Sequence, residues 1–179
     1  MATYIIGDIH GCFDGLQRLL KKIAYNPGKD DLLFTGDLVN RGPDSPAVLD
    51  FIYKNQDKMQ IVLGNHDLHL LALSVNPKSS YFNGLSDVCQ HKNFKIWCDW
   101  LRKQPLILQR DNICLVHAGI YPNWSISQAI NYAKEVESIL ASDAYPGLLK
   151  NMYGNQPNIW QTDLSGWDRI RFIINSCVR

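Results

Sequence analysis

Four times along this chain a short apolar run stops at a glycine-containing turn that carries a carboxylate, an amide or an imidazole. Tyr4-Ile5-Ile6 runs into Gly7-Asp8-Ile9-His10-Gly11, and Leu32-Leu33-Phe34 into Gly36-Asp37-Leu38-Val39-Asn40-Arg41-Gly42. Ile61-Val62-Leu63 runs into Gly64-Asn65-His66-Asp67, and Ile113-Cys114-Leu115-Val116 into His117-Ala118-Gly119. Continuous apolar runs of this length read as buried strands. Between the first three lie helical patterns. Leu16, Leu19, Leu20 and Ile23 recur at i, i+3, i+4 and i+7, a helix spans Pro46 to Tyr53 with Ser45 as its cap, and Leu68 to Leu73 is again helical. Three β-α repeats in a row predict an α/β sheet with helices packed on it.

Beyond the third repeat, residues 76–93 are polar and rich in turn formers, which predicts a surface excursion. Phe94 to Leu101 and Ser125 to Leu140 read as helices, the latter capped by Ser125 or Ser127. Arg169 to Asn175 reads as a last strand. At 179 residues the chain fits a single domain over 1–179, with apolar residues at 46% and charged residues at 20%, an ordinary globular mix. The formal charge of +1 gives no global field for a polyanion, so any phosphate-rich ligand needs local neutralisation. No apolar run is long enough to span a bilayer and the N-terminus lacks a signal pattern. Five cysteines, none in CxxC spacing, argue against a disulfide framework or a thiolate zinc site. Together these features predict a cytoplasmic protein with no membrane association.

In open α/β sheets ligands bind outside the carboxyl ends of the strands, so four such turns converge on one place. They bring Asp8, His10, Asp37, Asn65 and His117 together. A set of carboxylate, imidazole and amide ligands without thiolate suits Mn, Fe, Co, Ni or Zn rather than an all-oxygen calcium cage. Asp8 and His10, two apart on an extended segment, face the same side. Any one of these residues alone has an ordinary explanation as a turn residue or a buried histidine; the ordered set of four turns does not. His91 reads as a surface histidine and His69 as a neighbour of the site at most. Tyr121, Trp124, Tyr145, Tyr153 and Trp160 have the chemistry to stack a base, although core packing is the ordinary role of each.

The order GDxHG, GDxVxRG, GNHD, HAG resembles the calcineurin-like metallophosphoesterases of the phosphoprotein-phosphatase branch. The segments 64–71, 101–106, 152–160 and 171–173 are similar to those of the bacterial symmetrical diadenosine tetraphosphatases. The resemblance implies a β-sandwich core flanked by helices, and two divalent ions, manganese or cobalt first. One ion would sit on Asp8, His10 and Asp37, the other on Asp37, Asn65 and His117. Arg41 would clamp phosphate oxygens and His66 would protonate the leaving group, oriented by Asp67; Asn65 and His66 would also meet substrate. The implied reaction is symmetrical cleavage of diadenosine tetraphosphate to two ADP, with related dinucleoside polyphosphates and nucleotide-capped RNA 5′ ends as further substrates and no stable protein partner.

Two departures from the family pattern matter. Protein phosphatases of the branch carry Asp where this sequence has Asn40, which weighs against a phosphoprotein phosphatase. Family members also continue past residue 179 to a Gly-His motif, whereas no histidine follows His117 here. The resemblance therefore implies an incomplete second sheet, a missing C-terminal part and a weaker second metal site. Three readings stay open at this stage: a dinucleotide hydrolase, a phosphoprotein phosphatase, and a catalytically poor remnant that binds metal or nucleotide.

Overall fold

A computed structural model describes residues 2–76 and 84–179. Strands β1 (Thr3–Ile6), β2 (Asp31–Phe34) and β3 (Met59–Ile61) form a parallel sheet in that order, with Ile5 opposite Leu33 and Phe34 opposite Ile61. Helices α1 (Phe13–Lys22) and α2 (Ser45–Lys54) make the crossovers. Parallel strands require such crossovers, because a hairpin cannot return the chain in the same direction. The third strand ends two residues earlier than its apolar run. Val62 still donates to Phe34 O (3.0 Å), but the Leu63 N–H turns to Pro105 O (2.8 Å) and leaves the sheet.

Residues 77–83 of the polar excursion lie outside the described residues; the excursion ends in a short helix, α4 (Ser86–Cys89), which follows α3 (Asn65–Val75). After α5 (Phe94–Leu101) come β4 (Ile107–Arg110) and β5 (Ile113–Val116), an antiparallel pair. The fourth run is therefore a strand, as its composition predicts, but it pairs with a neighbour the sequence reading missed. This hairpin packs on the face of the parallel sheet rather than extending it: Leu115 is buried with Leu33 and Val62, with Leu108 and Ile113 against them. Arg110 and Asp31 form an ion pair at 2.7 Å between the two layers. The opposite side holds the main core, where Phe34, Leu49, Leu71, Trp97 and Ile173 are fully buried among the helices.

Helices α6 (Ile126–Ala141), α7 (Tyr145–Asn151) and α8 (Gly166–Val178) complete the structure. The predicted last strand at Arg169–Asn175 is instead the middle of α8. Its β-branched residues suggested a strand, yet Ile170, Ile173, Ile174, Cys177 and Val178 are buried at i, i+3, i+4, i+7 and i+8, a helical stripe. Ser125 caps α6 as expected, accepting from Gln128 N at 3.2 Å. The cap of α2 is Asp44, which accepts from Ala47 N (2.9 Å), and not Ser45, whose hydroxyl is drawn inward. Among the described residues no helix is long and apolar enough to cross a membrane.

Candidate metal centre

The first two turns are joined by backbone hydrogen bonds. Ile9 and His10 donate to Asp37 O (3.2 and 2.9 Å) and Gly11 donates to Leu38 O (2.9 Å). The second and third turns approach so closely that a Cβ on Gly64 would collide with Asp37 Oδ1, and one on Gly36 with the Gly64 N–H. Only glycine permits this approach. Four non-glycine residues here hold left-handed backbone: His10 (φ 48°), Asp37 (51°), Asn40 (75°) and Arg41 (65°). Such conformations cost of order 1–3 kcal/mol for most side chains and persist where the surroundings impose them.

The result is one buried carboxylate faced by three imidazoles. Asp37 is 3% exposed, and its Oδ2 lies 3.8 Å from His10 Nε2, 4.0 Å from His66 Nε2 and 3.7 Å from His117 Nε2. These separations are too long for hydrogen bonds. They match two ligand atoms on a shared ion, since metal–N and metal–O bonds near 2.0–2.2 Å hold their ligands about 3–4 Å apart. Asp8, half exposed, adds Oδ2 at 3.6 Å from His10 Nε2 and Oδ1 at 3.9 Å from His117 Nδ1. Asn65 Oδ1 is 3.3 Å from His117 Nε2. Asp37 is thus shared by two groupings whose ligand atoms lie within 4.8 Å of one another, His10 with Asp37 and His66, and Asp8 with Asp37 and His117, and Asn65 adjoins the second.

The ring nitrogens support the fit. His117 Nδ1 donates to Thr35 O at 2.8 Å and His10 Nδ1 donates to Val39 O at 3.2 Å. A carbonyl can only accept, so each Nδ1 carries the proton and each Nε2 turns its lone pair toward Asp37. Metal-binding histidines are oriented in this way. His66 also lies within reach of a common ion with His10 and Asp37, but its Nδ1 faces the side-chain amide nitrogen of Asn40 at 3.0 Å. Burial holds the His66 imidazole below its ordinary pKa, against the pull of Asp37 and with the push of His10 and Arg41. Arg41 is exposed beside it.

Asp67 is placed differently from the expectation. Instead of orienting His66 it is fully buried beneath the second turn, accepting from Asp37 N (2.8 Å), Leu38 N (3.0 Å) and Gly64 N (3.0 Å). The left-handed Gly36-Asp37 backbone points successive N–H groups the same way, making a concavity for an anion. Burial drives the Asp67 carboxyl up to about 7, opposed by these donors and assisted by Asp37. The residue that meets His66 is Asn40, visible in the sequence only as a departure from a motif. Ser45, expected as a helix cap, accepts the Asn40 N–H at 3.0 Å and steadies the same loop.

The other singled-out residues fall outside the centre. His91 stacks on Trp97 at 4.5 Å, and His69 pairs with the Tyr153 hydroxyl at 2.7 Å. Trp124 and Trp160 pack edge to face at 4.8 Å with Tyr121, Tyr132 and Phe172 around them, so for these aromatics core packing prevails. Arg102 covers the Tyr145 ring at 4.9 Å.

Comparison with known proteins agrees with this geometry. A family profile described as calcineurin-like phosphoesterase matches residues 1–171. The chain belongs to that family. It is 48% identical over 180 residues to the symmetrical bis(5′-nucleosyl)-tetraphosphatase of Chromobacterium violaceum, and 46% identical over 182 residues to the protein of the same name from Neisseria meningitidis. Each match takes in 100% of this chain and 65% of the relative, so the chain spans about two-thirds of their length. The fold is also similar to the crystal structure of a cold-active protein-tyrosine phosphatase from a psychrophilic Shewanella (TM-score 0.58, 18% identity, 98% of this chain and 65% of that one).

Proposed function

We propose that this phosphoesterase is a metal-dependent hydrolase that cleaves diadenosine tetraphosphate symmetrically into two ADP. The observation that carries the reading is the buried carboxylate of Asp37 facing the Nε2 atoms of His10 and His117, in a chain nearly half identical to proteins named for that reaction. Asp8, His10 and Asp37 would hold one divalent ion, and Asp37, Asn65 and His117 a second, with manganese or cobalt suited to this N/O donor set. Bound there, the ions supply positive charge at the reacting phosphate and activate water.

The chain's own residues supply the rest. Arg41, exposed at the rim, offers a planar fork to phosphate oxygens that a chain of +1 net charge cannot attract globally. His66, whose Nε2 lies 4.0 Å from Asp37 Oδ2, would donate to the oxygen that leaves phosphorus as the acid. Asn65 contacts substrate beside it. Asp67 fixes the backbone that aims Asp37. Dinucleoside polyphosphates and nucleotide-capped RNA ends share the required polyphosphate chemistry, and the free cysteines suit a cytoplasmic setting.

The test is product analysis by anion exchange after incubation with diadenosine tetraphosphate and Mn²⁺ or Co²⁺, against an EDTA control. ADP as sole product, abolished by EDTA, is expected. ATP plus AMP would overturn the symmetrical cleavage. Phosphopeptide turnover without dinucleotide turnover would move the assignment to a protein phosphatase, and no turnover from folded, metal-loaded chain would leave only a binding role.

A further inference from the structure

A cavity of about 300 Å³ lies against the C-terminal half of α8, at the lower end of the range of about 300–1,000 Å³ that small-molecule sites occupy. Phe172 and the half-buried Tyr121, packed edge to face at 5.2 Å, give it an aromatic wall. A second, narrower cavity shares Asn175 and Arg179 with it and is also lined by Asn65 of the metal centre. Among the described residues Arg179 is the charged side chain lining the larger of these two, and no carboxylate lines it. The cavity of about 470 Å³ beside Cys12 is less suited to a phosphate-bearing ligand, because Asp14 and Asp44 outweigh Arg18 there.

The loop opposite Tyr121 is held by three side chains spaced four apart along α8 and its C-cap. Arg171 Nε donates to Asn151 O (3.1 Å) and its Nη1 to Gln156 O (2.9 Å). Asn175 Nδ2 donates to Gly154 O (2.9 Å), and Arg179 Nη1 donates to Asn155 Oδ1 (2.8 Å). Residues at i, i+4 and i+8 share a helix face, so residues 151–156 are pinned along one side of α8. The same bonds fix two amides. A guanidinium only donates, so Asn155 turns its oxygen to Arg179; a carbonyl only accepts, so Asn175 turns its NH₂ to Gly154. Among the described residues Asn155 Nδ2 and Asn175 Oδ1 have no hydrogen-bond partner. One preset donor and one preset acceptor remain, on two residues that line the cavity.

We propose that this cavity is a nucleoside subsite, which takes the base at one end of a dinucleoside polyphosphate while Arg179 meets the phosphates that run toward the metal centre. A nucleobase is neutral and planar, and it asks for an aromatic wall and for partners along its edge. Tyr121 and Phe172 supply the wall. The pairing edge of each common base shows a donor next to an acceptor, so Asn155 Nδ2 and Asn175 Oδ1 can serve any of them. Aromatic contact is equally tolerant, since every base has a π-face. The subsite therefore selects for a nucleoside without choosing the base, and it separates a nucleotide substrate from a bare polyphosphate.

That the nucleoside belongs to a dinucleoside polyphosphate rests on the hydrolase reading; that a nucleoside binds here does not. Adenosine added to the metal-free chain tests the second point without metal or phosphate. Saturation-transfer NMR titrations should show adenosine and guanosine binding alike, and ribose weaker by about tenfold or more, the scale of one lost base–aromatic contact. Asn155→Asp keeps an oxygen for Arg179 but exchanges the free NH₂ for a second acceptor. Adenosine, uncharged and with one donor group, should then bind about tenfold more weakly. Guanosine, whose N1–H and N2–H₂ both donate, should lose less, so the variant prefers it. Asn155→Ala, on an exposed segment, should weaken both alike and serves if the Asp variant does not fold. Wild type that binds no adenosine, ribose as tight as adenosine, or variants with unchanged affinities would overturn the proposal, whatever the enzyme turns over. In the loaded enzyme, Asn155→Asp should lower kcat/KM for diadenosine tetraphosphate relative to inorganic tetraphosphate by about tenfold. An unchanged ratio would overturn the link to the substrate. Absence of turnover on both would instead overturn the hydrolase reading, and the adenosine titration would stand.

Discussion

Removing the Asp67 carboxylate tests whether the second turn is held from beneath. Three backbone N–H groups, of Asp37, Leu38 and Gly64, end on its two oxygens in a fully buried setting. A buried donor left unsatisfied costs about 1–3 kcal/mol. Asp67→Ala strips all three of their acceptor; with water entering the vacated space to meet some of them, the expected loss is about 3–6 kcal/mol. Asp67→Asn with its oxygen at the Oδ2 position keeps the bonds from Asp37 and Gly64 and sets an NH₂ against Leu38 N–H, so about 1–3 kcal/mol is lost. The lower end is favoured, because the amide removes a carboxyl that burial already pushes up to about 7. For a chain of this length each kcal/mol moves Tm by about 2–4 °C. Thermal unfolding in EDTA should therefore rank wild type above Asp67→Asn above Asp67→Ala, with the Ala variant more than about 6 °C below wild type. An Ala variant as stable as wild type, or an Asn variant less stable than Ala, would refute the argument.

Other consequences follow from separate parts of the fold. Burial raises the pKa of Glu137, whose Oε1 accepts from Leu106 N at 2.8 Å. Below the unfolded-state pKa both states are protonated; between the two pKa values the folded state binds more protons, so this group's contribution to stability falls as pH rises. Glu137→Gln keeps the acceptor and should match wild type at low pH, then gain on it through the carboxylate range; a Tm difference flat with pH would sink this. Burial pushes the Cys89 thiol up to about 11 and those of Cys98 and Cys177 up to about 12, while Cys12 is exposed. Iodoacetamide at neutral pH should label Cys12 first, and mass spectrometry finding Cys98 or Cys177 modified as fast in folded protein would contradict the packing. Gly64→Ala forces a methyl onto Asp37 Oδ1, and should weaken metal binding at least tenfold by calorimetry; unchanged affinity would show that the turns have room to separate.

What the sequence discloses here is local chemistry. The candidate ligands Asp8, His10, Asp37 and Asn65 each adjoin a glycine at the end of an apolar run and His117 stands two residues before one, so their convergence follows once the runs are taken as strands. Partners set by loop conformation are harder to read. Asp67 departs from its expected role because the left-handed backbone at Asp37 aims the Asp37 and Leu38 N–H groups at its carboxylate, while Asn40, also left-handed, meets His66, 26 residues away. At Arg169–Asn175, consecutive isoleucines outweighed a spacing that fits a helix over a longer window. Strand β4 escaped notice because Gln109 and Arg110 interrupt its apolar run, and it is a strand through pairing with β5.

The central claim is that Asp37 gathers His10, His117 and Asp8 into a metal centre. Asp37→Asn tests it most directly, since the amide retains Oδ1 as acceptor for His66 N (2.8 Å) while the negative charge is gone. Metal content by plasma mass spectrometry, after Mn²⁺ loading and exhaustive dialysis, should show bound manganese in wild type and almost none in the folded variant. Equal manganese retention in both would contradict the account.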